Sequence, residues 1–267
     1  MNDFNSEFDT LFIPLISSVY TSTKFPHILY DKKAMEIKDR IPSDIKPISK
    51  MVQYTYLSGT IRSKKIDNII DDFLYLNPNG VVVELSSRLS TACYRCKAPS
   101  FKWYCVDNAR NISIRKQLFG TKDNIIYIKG DIFKPIWIRQ VERENPGCPI
   151  MVVAAGTFNY CAFTDVQKLF RNLCLVSNVE IIFDAVHSMG MKRMKKIYKH
   201  LGIKRPDLLF HLDNPDDIEI ERINTIVLDN EPFFENVSKK KMKLITRLYM
   251  KIADTFKMIN IYHISNH

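Results

Sequence analysis

Residues 80–96 read G-V-V-V-E-L-S-S-R-L-S-T-A-C-Y-R-C, and residues 103–107 read W-Y-C-V-D. Each segment carries a short continuous apolar run that ends in an acid, Glu84 in the first and Asp107 in the second. Continuous β-branched runs suit strands covered on both faces. A turn and a helix are expected between them, which makes a βαβ unit of a nucleotide-binding sheet. The turn is unusual. Such folds place glycines there, and this chain has Ser86 and Arg88.

The alternation continues downstream. Strands are expected at 101–106, 125–128, 150–155 and 179–184, with helices at 111–118, 137–144, 164–175 and 189–201. This order predicts an α/β fold, a doubly wound and mostly parallel sheet. Beyond Leu208 the pattern loosens. Segments 218–220, 225–228 and 260–263 are expected as antiparallel edge strands, and 239–256 as the last helix.

Upstream the pattern is helical. Residues 5–42 carry an apolar face (Leu11, Ile13, Leu15, Ile16, Val19, Tyr20) broken by Pro14 and Pro26, which predicts a kinked or two-part helix. Residues 48–76 repeat isoleucines at three and four before the turn Asn77-Pro78-Asn79-Gly80. The expected organisation is one domain, with residues 1–79 as a helical cap and residues 80–267 as the α/β core.

Six cysteines among 267 residues do not make a disulfide framework. Cys93 and Cys96 form one C-x-x-C without a second pair, so no metal is expected and the thiols read as small packed hydrophobes. No apolar run reaches the length of a membrane span, and the first ten residues carry acids where a signal peptide is basic. A cytoplasmic location is expected. The net charge of +10 concentrates late, from Lys192 to Arg205 and from Lys239 to Arg247. No aromatic interleaving accompanies it, so the charge reads as a solvated lysine-rich face. If the face binds a partner, an acidic protein is expected before nucleic acid.

In an open parallel sheet, ligands bind beyond the carboxyl ends of the strands. That rule selects Glu84 to Ser90, Asp107, Gly130-Asp131, Ala155 to Tyr160, and Asp184. Asp107 suits the two hydroxyls of a ribose, with a helix cap as the alternative. Asp131 suits an adenine amino group or a turn, Tyr160 a ligand or the core, and Asp184 a turn before a ligand. Arg62 and Arg95 read, from the residues alone, as surface arginines. His187 and Tyr160 are candidates for a general base by position only.

These segments together resemble the leucine carboxyl methyltransferase family, a branch of the class I S-adenosylmethionine-dependent methyltransferases that includes bacterial polyketide O-methyltransferases. T-L-F-I-P-L from Thr10 and Y-D-K-K-A-M-E-I from Tyr30 resemble its opening helices. I-R-S-K-K-I-D (61–67) resembles its A-R-x-x-x-x-D signature, and the stretch from Gly80 its cofactor motif. W-Y-C-V-D with Ile114-Arg115-Lys116 resembles its second-strand motif, and A-A-G-T-F-N-Y (154–160) its A-E-G-x-x-x-Y segment. The resemblance implies S-adenosylmethionine as cofactor and O-methylation of a carboxylate or phenol-type oxygen, on a small molecule or a carrier-bound metabolite. It implies that Arg62 pairs with the methionine carboxylate, Asp107 with the ribose and Asp131 with the adenine end, and that Tyr160 lies on the methionine or substrate side. It also places Glu84, Ser86, Arg88 and Ala155 along the cofactor.

The departures lie in those same motifs. The family's E/N-L-G-x-G-L-D-T-R stands here as E-L-S-S-R-L-S-T-A, and its A-E-G as Ala154-Ala155-Gly156. Side chains at 86 and 88 narrow the approach to the methionine moiety. Arg88 also adds a cation near a sulfonium. The alternative reading is therefore a degenerate methyltransferase fold that serves as a binding partner, or one that uses a related adenosyl ligand.

Overall fold

The computed structural model describes residues 7–42, 52–201, 208–214, 217–218, 224–226 and 233–265. Seven strands form one sheet in the order β3-β2-β1-β4-β5-β7-β6. They are β1 (Val81–Leu85), β2 (Lys102–Asp107), β3 (Ile125–Lys129), β4 (Ile150–Ala154), β5 (Val179–Ala185), β6 (Asn224–Ile226) and β7 (Asn260–Ser265). The first five are parallel, and β7 runs antiparallel between β5 and β6. This is the Rossmann-like arrangement of class I methyltransferases. The strand order reverses at β1, whose neighbours are β2 and β4.

All five residues of β1 and of β4 are buried. Alternate residues feed two cores. Val81, Val83 and Leu85 pack with Trp137, Val141 and Leu169 on one face. Val82 packs with Leu57, Ile61 and Phe73 of the cap on the other. Four helices follow the expected segments closely: α5 (Ala109–Phe119), α6 (Ile136–Glu144), α7 (Phe163–Leu173) and α8 (Ser188–Leu201). The last, α9 (Leu244–Thr255), starts later than the expected 239–256 because residues 239–243 are turn and loop.

Three expectations needed adjustment. The helix after β1 is a single turn, α4 (Ala92–Arg95). Cys96 is already extended, and Pro99 disfavours helical backbone in the residue before it. In the cap, α1 (Glu7–Lys24) runs unbroken through Pro14, because Leu11, Phe12 and Leu15 are all buried around it. The chain then turns at Pro26 into the short α2 (Lys32–Ile37), and α3 (Val52–Leu76) carries the rest of the cap. Of the edge segments, 224–226 and 260–265 are strands and Ile218 sits in a bend. Residues 219–220 and 227–228, like Lys204 and Arg205, lie outside the described residues. No described helix is long and apolar enough to cross a membrane.

Candidate functional site

The parallel sheet aligns the carboxyl ends of β1, β2, β4 and β5, so residues 84–90, Asp107, Ala155-Gly156 and Asp184 share one edge. The loop after β1 keeps a glycine's backbone without its glycines. Ser86 has φ 48° and Arg88 has φ 42°. A side chain in this left-handed region costs roughly 1–2 kcal/mol.

Two buried groups hold the loop in place. The Arg88 N–H donates to Asp107 Oδ2 at 2.8 Å. The fully buried Arg115 of α5 donates from Nη1 to the carbonyls of Arg88 (3.0 Å) and Ser90 (2.7 Å). Neighbouring Cys93 Sγ lies 3.4 Å from Nη2 of the same guanidinium. In the sequence, Arg115 stands out only within the segment that resembles the second-strand motif. The available signal was its spacing: Ile112 and Arg115 stand three apart on one helix, and both are fully buried.

Asp107 is buried and already well used. Oδ2 takes the Arg88 N–H, while Oδ1 takes the Asn108 N–H at 2.8 Å and Asn111 Nδ2 at 2.9 Å. A carboxylate has about four acceptor positions. One remains open. The adjacent cap of α5 belongs to Asn108, whose side chain accepts the Asn111 N–H.

Glu84 is 5% exposed and accepts from Trp103 Nε1 at 3.3 Å. Burial raises its pKa, against the pull of Arg115, Ser90, Arg95 and Trp103. A carboxyl held above its ordinary value of 4.5 binds its proton more tightly in the folded state. Its contribution is therefore full below that value and falls as pH rises through the folded pKa. Glu84→Gln, which keeps the protonated shape, should be more stable than the parent at pH 7.5, with the difference vanishing in acid. Urea unfolding at both pH values measures it; equal stability at pH 7.5 contradicts it.

Arg62 is not a surface arginine. Helix α3 carries it over the carboxyl edge, where Nη1 donates to Asp184 Oδ2 at 3.1 Å. The other Asp184 oxygen accepts the Gly156 N–H. Asp184 is 2% exposed. Gly156 has φ 64°, and a Cβ there would lie 2.7 Å from Arg62 Nη2. The backbone favours glycine, and the guanidinium rests directly on it, so a side chain there would push Arg62 aside. Arg62 Nε is buried without a partner among the described residues.

Arg88 is half-buried. Burial lowers its pKa, Asp107 opposes that, and Arg62 adds to it, with Tyr160 and Cys161 also in electrostatic reach. Its charge is thus felt by groups at the carboxyl ends of the strands, and its guanidinium makes no hydrogen bond among the described residues. Arg95, read from sequence as a surface residue, is also buried. It forms a bidentate pair with Asp67 (2.7 and 3.0 Å) and a further bond to Asp31 (2.9 Å).

The remaining candidates sit further out. Asp131 is exposed and accepts the Phe133 N–H at 3.0 Å, closing a turn. Tyr160 packs against Val186, Met191 and Leu208, and Ala155 is half-buried beside Gly156. His187 Nδ1 faces the Met189 N–H at 3.2 Å and Asp213 Oδ1 at 3.5 Å. That nitrogen is occupied at the helix start rather than presented to the crevice. Cys93 is buried and Cys96 half-buried, both as free thiols. No group of three His, Cys, Asp or Glu residues that could hold a metal ion occurs among the described residues.

No family model matches the chain. It is 27% identical over 161 residues to the tetracenomycin polyketide synthesis O-methyltransferase TcmP of Streptomyces glaucescens, a match covering 60% of this chain and 58% of the relative. The chain thus spans little more than half the length of the curated relative it matches. Among solved structures, a DUF574 family protein of Streptomyces avermitilis aligns with TM-score 0.56 at 12% identity, over 94% of this chain and 96% of that one. An S-adenosylmethionine-dependent methyltransferase of Anabaena variabilis aligns with TM-score 0.51 at 12% identity, over 85% of each chain. The fold is that of class I methyltransferases, and the sequence is similar to a polyketide O-methyltransferase.

Proposed function

We propose that the chain is an S-adenosylmethionine-dependent O-methyltransferase, a divergent member of the leucine carboxyl methyltransferase family. Its acceptor would be a carboxylate or phenol-type oxygen of a small molecule or carrier-bound metabolite. The observation that carries this reading is Arg62: a guanidinium resting on Gly156 at the β1/β4 switch point, with a buried Nε that has no partner among the described residues. A planar fork of donors suits a carboxylate. Arg62 would exchange Asp184 for the methionine carboxylate, Asp107 would accept one ribose hydroxyl at its remaining position, and Asp131 would stand at the adenine end.

The bound cofactor supplies an already activated methyl group, so the chain's own task is alignment. The cap helices α1 and α3 would orient the acceptor oxygen and exclude water. No side chain is assigned as general base: His187 Nδ1 is engaged, and Tyr160 is packed among Val186, Met191 and Leu208.

Calorimetric titration with S-adenosylhomocysteine tests this. The parent should bind, and Arg62→Ala should bind about 10- to 100-fold more weakly, the loss of charge-assisted hydrogen bonds worth about 1.5–3 kcal/mol. No heat from the parent sinks the reading.

A second reading is favoured by Arg88. A cation within electrostatic reach of Asp107 and Arg62, together with an Asp107 that already holds three protein donors, suits a fold that no longer transfers methyl and serves as a binding partner. In that case neither the parent nor a variant with glycines at 86 and 88 gains methyltransferase activity.

A further inference from the structure

Helix α9 is turned partly inside out. Its small or polar residues Thr246 and Ala253 face the core with Met250, whereas Leu244 is 80% exposed, Leu248 51% and Ile245 50%. Lys243, Arg247 and Lys251, spaced four apart, make an exposed basic stripe beside these aliphatic side chains. The approach to the helix adds exposed Lys239, Lys240 and Lys241. Two acids, Glu235 and Asp254, lie nearby, and Asp254 is engaged by the Phe234 N–H at 3.0 Å.

The basic surface continues onto α8. Arg193 lies over the Phe256 ring, 5.3 Å from its centroid, just past the end of α9. Lys192, Lys195, Lys196 and Lys199 are exposed on the same helix. The start of α9 also touches the cap: the Lys243 N–H donates to Gln53 Oε1 of α3 at 2.8 Å.

We propose that α9 and the lysines before it dock the protein on an anionic lipid surface. Aliphatic side chains that protrude beside a cationic stripe match the interfacial helix, which buries its apolar residues at the headgroup boundary while its lysines meet anionic headgroups. The composition favours lipid over an acidic protein. Protein interfaces favour Arg and aromatic residues and are depleted in Lys. Here the rim holds five lysines, Lys239, Lys240, Lys241, Lys243 and Lys251, to one arginine, Arg247. Ammonium groups on flexible stems suit a diffuse layer of headgroups rather than one fixed carboxylate. Docking would place the cap next to the membrane.

The test is co-sedimentation of the full chain with vesicles of phosphatidylcholine alone and of phosphatidylcholine mixed with phosphatidylglycerol. Pelleting with the mixed vesicles only, and weakening with added salt, is expected. Leu244→Ser/Leu248→Ser should weaken that partitioning more than tenfold, and each Lys→Gln change in the stripe should weaken it about fivefold. Both changes are on the surface, so an unchanged circular dichroism spectrum is required of them. Leu244→Trp should shift its fluorescence to the blue on vesicle addition. Three results overturn the proposal: no pelleting with mixed vesicles at low salt, pelleting unaffected by the double serine variant, or capture of an acidic protein by this face without any vesicle binding.

Discussion

Arg88→Gly should raise the affinity for S-adenosylmethionine relative to S-adenosylhomocysteine by tenfold or more. The two ligands differ in one charge at sulfur. The Arg88 charge is within electrostatic reach of Asp107 and Arg62, and a cation there opposes a bound sulfonium but not a neutral thioether. At an effective dielectric of 20, like charges 8 Å apart repel by about 2 kcal/mol, and 1.4 kcal/mol is a factor of ten. The parent should accordingly prefer the thioether. Calorimetric titration of both ligands into parent and variant gives the ratio, and an unchanged ratio places Arg88 away from the sulfur. Stability should change little. Relief of a left-handed backbone gains roughly 1–2 kcal/mol, and the added freedom of the unfolded glycine takes back about 0.4–1 kcal/mol.

The positive φ values at 86 and 88 give the loop a glycine-like backbone without glycine. Arg115 still grips the carbonyls of the loop, and Asp107 still grips its amide. These bonds are made to backbone, so they do not depend on which side chains the loop carries. The backbone scaffold of the loop is therefore fixed independently of the side chains at 86 and 88. A working enzyme and a degenerate one would share this scaffold. Titration of both ligands into parent and Arg88→Gly tells them apart.

The sheet was legible because β1, β2 and β4 each carry a continuous apolar run, residues 81–83, 103–106 and 150–154, punctuated by turns. That pattern survives without knowledge of neighbours. Arg62, Arg95 and Arg115 were not legible from the residues alone. A lone arginine on a helix reads as solvated, and each of these is buried by an element distant in sequence. Arg62 meets Asp184, and Arg95 meets Asp31, across 122 and 64 positions respectively. Family motifs pointed at Arg62 and Arg115 by position. The three protein donors on Asp107 could not be foreseen, because two of them are backbone amides whose direction only the folded loop defines. The face of α9 escaped for a different reason. Leu244, Ile245 and Leu248 look like core in a helical pattern, and only packing shows that the core took Thr246, Met250 and Ala253 instead.

Arg95→Met should destabilise the protein by about 3–5 kcal/mol, the cost of leaving buried charges without their partner. Asp31 is fully buried, and the Arg95 side chain is 9% exposed. Asp31 Oδ1 caps α2 through the Ala34 N–H at 2.9 Å, while Oδ2 accepts from Thr91 and from Arg95. Asp67, on α3, takes the other side of the guanidinium. Burial opposes charge on Arg95, but Asp67 and Asp31 outweigh it and hold the group more firmly protonated than usual. One arginine thus ties α2 and α3 of the cap to α4. Removing it strands two carboxylates, whereas Arg95→Met/Asp67→Leu strands only Asp31, which Thr91 and Ala34 still satisfy. The double variant should recover a large part of the loss, since replacing an ion pair by apolar groups is often neutral. Urea unfolding of the parent, both single variants and the double variant closes the cycle. A loss below 1 kcal/mol for Arg95→Met would mean that the cap is held by its apolar contacts alone.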